Sequence, residues 1–321
     1  MYVLKQFLIL FLLIGFNTIY ANETTNKKKI VYLSPDINIP FWQIMAKGIE
    51  NTTTSLGYEF ETYSSDNSVK KELELTVKAI KEKVSGIIVS PSNSSTCVTI
   101  LRLAKNANIP VVISDIGTDS GEYISYISSN NKEGAYQIGK ILANKMHSKK
   151  WNLGKVGIIA IPQKRLNGQE RTAGFMEALN EANIKGANIM QMEKWTEEET
   201  YNFTKQFILN YPDLRAIWLQ TSNLYNGAIK AIYEMKKEKE LFLVAFDAEP
   251  EFFKLIPQKK IIASGMQQPY LMGKIASETM HKYLNKEKVK KDIQIPILPV
   301  TTENINEQLP LIKQNVLGIN K

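Results

Sequence analysis

Ser34-Pro35-Asp36-Ile37-Asn38-Ile39-Pro40-Phe41-Trp42 joins a short β-branched run, Lys29-Ile30-Val31-Tyr32-Leu33, to a stretch of helical periodicity from Phe41 to Leu56 that closes at Gly57. The turn therefore lies at the carboxyl end of a strand, the edge of an open parallel sheet at which ligands collect. Pro35 and Pro40 fix φ and stiffen it, so Asp36, Asn38, Phe41 and Trp42 are offered from a rigid support. Phe41 and Trp42 are adjacent and cannot share one helix face. One of them is expected to point away from the core, toward the strand ends.

The same grammar continues along the chain. Strands are expected at 58–63, 86–90, 110–115 and 123–128, with helices at 69–84, 94–107 and 132–147 between and after them. In the first of these helices Leu73, Val77, Ile80 and Val84 form the expected apolar stripe. A second series starts at Lys155 and alternates strands at 155–161, 187–192, 216–220, 241–247 and 261–266 with helices at 170–182, 197–210, 224–235 and 270–284. An extended segment, 293–300, and a short helix at 304–311 complete it. Alternation of this kind predicts an α/β protein with parallel sheets covered by helices on both sides, and two series of similar length predict two similar lobes.

Composition agrees. The chain has 321 residues, 44% hydrophobic and 22% charged, enough for about two globular domains. Met1 to Ala21 carries one Lys and an apolar run from Phe7 to Phe16, the layout of an export signal cleaved after about Ala21. That run is short for a membrane span. Cys97 is the only cysteine, so no intrachain disulfide forms. The net charge of +8 is scattered as Lys pairs such as Lys70-Lys71 and Lys259-Lys260, with no basic stripe and no interleaved aromatics, which argues against a nucleic-acid partner.

Reactive motifs are absent. The sequence has no G-x-G-x-x-G after its first strand, no phosphate-binding loop and no G-x-S-x-G elbow. His147 and His281 lack metal-ligand spacing, so no metal and no cofactor is expected. Asp115 and Asp247 could imitate a glycosidase pair, but aromatics and Arg around them suit tight holding of a sugar, and no enzyme is expected. Several expected strands end in groups suited to a polar, uncharged molecule: Asp115, Thr221 and Asp247, with Arg171, Trp195 and Gln267 on neighbouring loops. Carboxylates accept from hydroxyls, Arg and Gln donate, and flat aromatics cover ring faces.

Asn38-Ile39-Pro40-Phe41-Trp42, Ile113-Ser114-Asp115, Glu170-Arg171-Thr172-Ala173-Gly174-Phe175, Val244-Ala245-Phe246-Asp247 and Gln267-Gln268-Pro269 are, in this order and spacing, similar to the type I periplasmic binding proteins. Within them the chain resembles the ribose- and galactose-binding group and the autoinducer-binding and TorT-like sensors. The resemblance spans roughly Lys29 to Thr302, nearly the whole mature chain. It implies two Rossmann-like lobes, 29–129 plus 268–298 and 130–267 plus 299–321, joined by hinge crossings near Ser129-Asn130, Met266-Gln267 and Leu298-Val300. It also implies a ligand ring held between Phe41, Trp42 and Trp195, with Asn38, Asp115, Arg171, Thr221, Asp247 and Gln267 as polar partners.

Ile39, Ile116 and Thr221 stand where a ribose binder has Asn, Arg and Asn. Losing that Arg removes a charge and up to five donors, so a more apolar cleft is expected, suited to a less hydroxylated sugar, a modified furanose or a small amine oxide. The implied function is a monomeric periplasmic solute receptor that hands its closed form to a membrane ABC permease, or alternatively to a sensor kinase.

Overall fold

The computed structural model describes residues 28–319, and the expected export signal, residues 1–21, lies outside them. The first lobe opens with β1 (Lys29–Ser34), α1 (Pro40–Ser55), β2 (Glu59–Ser64), α2 (Val69–Lys81), β3 (Gly86–Val89), α3 (Ser94–Asn106), β4 (Val111–Ser114) and β5 (Ser125–Ser129). After α4 (Asn131–Ser148), the second lobe runs through β6 (Lys155–Ala160), α5 (Leu166–Glu181), β7 (Gly186–Gln191), α6 (Glu197–Asn210), β8 (Leu214–Leu219), α7 (Tyr225–Glu234), β9 (Phe242–Phe246), α8 (Phe252–Leu255) and β10 (Ala263–Met266). The chain then crosses back for α9 (Pro269–Leu284) and β11 (Asp292–Ile295). It crosses a third time into β12 (Leu298–Thr301) and α10 (Ile305–Leu311).

Two six-stranded sheets result, ordered β11-β5-β4-β3-β1-β2 and β12-β10-β9-β8-β6-β7. Every pair is parallel except β10 with β12. The central strands are covered on both faces: Ile30, Val31, Tyr32 and Leu33 of β1 are all buried, as are Ile217, Trp218 and Leu219 of β8. Successive residues of one strand pack into separate cores on opposite sides of its sheet. Ile30 and Tyr32 lie with Trp42 and Met45, while Val31 and Leu33 lie with Tyr63 and Ile100.

The segment expected as one extended run near the end of the chain is divided between the sheets. Leu298 already pairs with Met266 in the second sheet, so the third crossing falls on Pro296-Ile297, just before the expected position. The crossings are tied to one another: Asn130 donates its backbone N–H to Ile295 O (2.9 Å), and Gln268 Nε2 donates to Pro296 O (2.7 Å).

One expected helix stripe is corrected at Val77. In α2 the inward residues are Glu72, Thr76 and Ala79, while Val77 is 37% exposed. Glu72 turns inward because its Oε1 accepts the backbone N–H of Ser92 at 2.8 Å, a buried donor that needs a partner. Leu73, Ile80 and Val84 of the expected stripe do pack against the first-lobe core, so apolar periodicity misplaced Val77 and missed the inward polar residues.

Within the second lobe, α4 and α5 approach closely at Gly174, where an added Cβ would stand 1.9 Å from Lys132 O. Backbone oxygen in a packed helix pair has little room to move. Gly174→Ala is expected to cost about 1–3 kcal/mol in urea unfolding. Gly186→Ala, where the nearest atom is Val156 O at 4.0 Å, is expected to stay within about 0.5 kcal/mol of wild type.

Candidate functional site

The carboxyl ends of both sheets face one chamber. Its lining comes from the turn after β1 (Ile39) and the first turn of α1 (Phe41, Trp42), the turn after β2 (Asn67), the end of β4 (Asp115) and, across the gap, the segments following β6 to β10. Those second-lobe segments contribute Arg165, Arg171, Trp195, Thr221, Asp247 and Gln267 among others. The space open to water-molecule centres is about 50 Å³, room for roughly three to five waters at 10–15 Å³ each. The lobes are closed. Arg165 Nε donates to Ser92 O (3.1 Å), Leu166 N to Ser94 Oγ (3.3 Å) and Asn167 Nδ2 to Asp115 Oδ2 (3.2 Å), each from the second lobe to the first.

Eight of the nine expected residues line this chamber: Phe41, Trp42, Asp115, Arg171, Trp195, Thr221, Asp247 and Gln267. Asn38 does not. Its backbone N–H and side-chain amide both donate to Asp36 Oδ1, at 3.0 and 3.1 Å, so it builds the turn. Phe41 and Trp42 both reach the chamber, in edge-to-face contact at 4.8 Å. Trp42, at 5% exposure, is also part of the first-lobe core with Met45, Ile49 and Met272.

Backbone geometry aims several of these groups. Asp115, Trp195 and Asp247 have φ of 62°, 54° and 70°, a left-handed conformation uncommon for Asp and strained for a bulky Trp. Hydrogen bonds hold each one. Asp115 donates its N–H to Ile127 O and accepts from Tyr126 Oη through its carbonyl; Asp247 donates its N–H to Gly265 O and accepts from Ser264 Oγ through its carbonyl. At Trp195 the support comes from the start of α6. Thr196 Oγ1 caps Glu199 N, and the Glu199 carboxylate accepts the backbone N–H groups of Glu193, Lys194 and Trp195.

Arg171, 3% exposed, is the most constrained side chain of the chamber. Nε donates to Asn131 Oδ1 (2.9 Å), Nη1 donates to Gln220 O (3.0 Å) and lies 3.9 Å from Asp247 Oδ2, and the guanidinium rests 4.1 Å from the Phe246 ring centre. Gln267 Nε2 donates to Asp247 Oδ1. Burial pushes Asp247 above the ordinary carboxylate range, against the opposing pull of Arg171 and the Gln267 bond. Asp115 is pushed up to about 7, chiefly by burial. Glu249, whose Oε1 accepts Ser222 Oγ at 2.7 Å, also rises to about 7 by burial.

The residues that sequence reasoning missed are Asn67, Arg165, Asn167, Ser222, Asn223 and Glu249, with Ile161 as apolar wall. The expected apolar cleft is corrected with them. Ile116 is buried in the core, and a second guanidinium, Arg165, enters from the other lobe, 5.5 Å from the Trp195 ring centre and donating to Asn67 Oδ1 (3.4 Å). The cause of the miss is a helix boundary. α5 starts at Leu166, four residues before the expected Glu170, so Arg165 is its N-cap and Asn167 lies one turn before Arg171 on the same face. The signal that could have found it was the i, i+4 pair Asn167 and Arg171.

Among the described residues no cluster of His, Cys, Asp or Glu could hold a metal ion, and no helix is long and apolar enough to cross a membrane.

Residues 30–288 match the family model described as a periplasmic binding protein domain. The ribose import binding protein of Haemophilus influenzae is 27% identical over 262 residues, covering 80% of this chain and 86% of its own length. A periplasmic solute-binding protein from Actinobacillus succinogenes, solved with D-allose, superposes with a TM-score of 0.81 at 22% identity, covering 88% of this chain and all of that one. A carbohydrate transporter solute-binding protein from Agrobacterium radiobacter, solved with D-arabinose, gives 0.82 at 20% identity, with 90% and 99% coverage.

Beside the chamber, buried Glu72 is pushed from 4.5 up to about 7, chiefly by burial, against the opposing pull of its Ser92 hydrogen bonds and of Arg165. A carboxyl raised on folding stabilises the fold fully below its unfolded value, and that contribution is lost as pH rises through the folded one. Thermal unfolding is therefore expected to show Glu72→Gln gaining on wild type between pH 5 and pH 8, with no further gain above pH 8. A constant difference between the two proteins would mean that Glu72 is ionised in the fold throughout.

Proposed function

The chain belongs to the periplasmic binding protein family, and from that premise we propose that it is an exported solute receptor that captures a sugar or sugar-like molecule by lobe closure and delivers it to an ABC permease. One observation carries the reading. Phe41 and Trp42 from the first lobe, and Trp195, Arg171, Asp247 and Gln267 from the second, are remote in sequence yet line one chamber with Asp115. Flat aromatics with a few aimed carboxylate, guanidinium and amide groups match a ring bearing hydroxyls, each of which donates once and accepts as well. The names of the relatives support the same class: a ribose importer by sequence, and D-allose and D-arabinose complexes by fold.

The mechanism is selective stabilisation of the closed form. Ligand contacts made by both lobes exist only when the lobes meet, so binding energy appears as closure, and closure is the state a membrane partner recognises. The inter-lobe bonds of Arg165, Leu166 and Asn167 then add to those of the ligand. No bond-making step is part of this reading. Export through the Met1–Ala21 segment places the receptor where the permease draws its substrate.

A thermal-shift screen of the mature protein against D-ribose, D-allose, D-arabinose and related sugars tests the reading. At least one sugar is expected to raise the melting temperature, by an amount that corresponds to about 2.7 kcal/mol at 100 times its Kd. Asp247→Asn is expected to lose most of that shift. If no carbohydrate shifts the transition, the reading fails.

The stacking role is best probed at half-buried Trp195. Trp195→Ala should weaken sugar binding about fivefold or more, equivalent to about 1 kcal/mol, in titration calorimetry. Trp42→Ala is a poorer probe, because removing a core Trp costs about 3–5 kcal/mol of stability on its own. Wild-type affinity in Trp195→Ala would remove that ring from the site.

A further inference from the structure

The chamber holds more acid than base. Asp115, Asp247 and Glu249 line it against Arg165 and Arg171, and Arg165 also shares Ser92 with buried Glu72, the one at its carbonyl and the other at its N–H. Arg171 is committed to Asp247, the one ion pair of the chamber among the described residues. Arg165 donates to neutral acceptors, Ser92 O and Asn67 Oδ1. Asp115 and Glu249, from opposite lobes, have no cationic side chain within 4.0 Å among the described residues.

Hydrogen bonding points the same way. Three buried acceptors of the chamber have no protein donor: Asp115 Oδ1, Asn167 Oδ1 and Gln267 Oε1. A buried acceptor without a donor is costly to the fold, and more so when it is charged. The demand is for a ligand rich in donors, and the unmatched carboxylates ask that one donor carry positive charge, since a charge-assisted bond is roughly twice as strong as a neutral one.

We propose that the solute is a sugar-sized polyol bearing one ammonium group, an amino sugar, whose nitrogen meets Asp115 or Glu249 while its hydroxyls meet Arg165, Arg171 and Gln267. This rests on the reading of the chamber as the solute site. A neutral sugar satisfies the acceptors but leaves the surplus charge to be met by protons, as the upward shifts of these carboxyls indicate. An ammonium group meets both demands.

The test is titration calorimetry at pH 7.5 with matched pairs: 3-amino-3-deoxy-D-ribose and D-ribose, D-glucosamine and D-glucose, D-galactosamine and D-galactose. In at least one pair the amino sugar is expected to bind about tenfold or more tightly than its parent, the ratio worth about 1.4 kcal/mol. Glu249→Gln or Asp115→Asn should cut that ratio severalfold. If neutral parents bind tighter in every pair, or if neither variant moves the ratio, the ammonium proposal is overturned while the sugar receptor stands. If no carbohydrate of either kind binds, receptor reading and proposal fall together.

Discussion

A guanidinium group buried to 3% exposure must find its hydrogen bonds and countercharge inside the protein, and the second lobe is arranged around that demand at Arg171. Its partners come from the start of α4, the end of β8 and the end of β9, three segments brought together only when the sheet is formed and the first crossing is seated. The planar fork suits divergent partners, as a lysine would not. Asp247 is thereby fixed at the chamber wall with one oxygen toward Arg171 and the other toward Gln267 at the second crossing. Site and hinge share one network.

The alternation of strands and helices was legible because parallel strands buried on both faces are continuous apolar runs, and Ile30 to Leu33 or Ile217 to Leu219 look the same in sequence as in space. Residues at strand ends were legible for a related reason: in this topology the carboxyl edge is the ligand edge, so Asp115, Thr221 and Asp247 could be picked from position alone. What resisted was anything governed by polar local geometry. Glu72 faces inward for a backbone donor twenty residues away, and helical apolar spacing carries no trace of it. The start of α5 was hidden because Arg165, as N-cap, makes no side-chain capping bond to its own helix and bonds to the other lobe instead.

Left-handed backbone at chamber residues was equally illegible. Asp115, Trp195 and Asp247 adopt it where nothing in composition requires it, and Trp is among the residues least suited to it. The strain is borne by bonds that also define the edges of the site, such as the Glu199 carboxylate gathering three consecutive N–H groups beneath Trp195. Rigid support of this kind lowers the ordering cost of binding, because the backbone that carries the ring is fixed by bonds of its own.

Closure brings charged groups of both lobes to a single residue. Ser92 donates its N–H to Glu72 within the first lobe and accepts Arg165 from the second through its carbonyl. The two groups belong to successive peptide units joined at the Ser92 Cα, so this residue is a shared anchor for one bond within the first lobe and one between the lobes. Separating the lobes breaks the Arg165 bond, which spans them, and not the Glu72 bond, which lies within the first lobe.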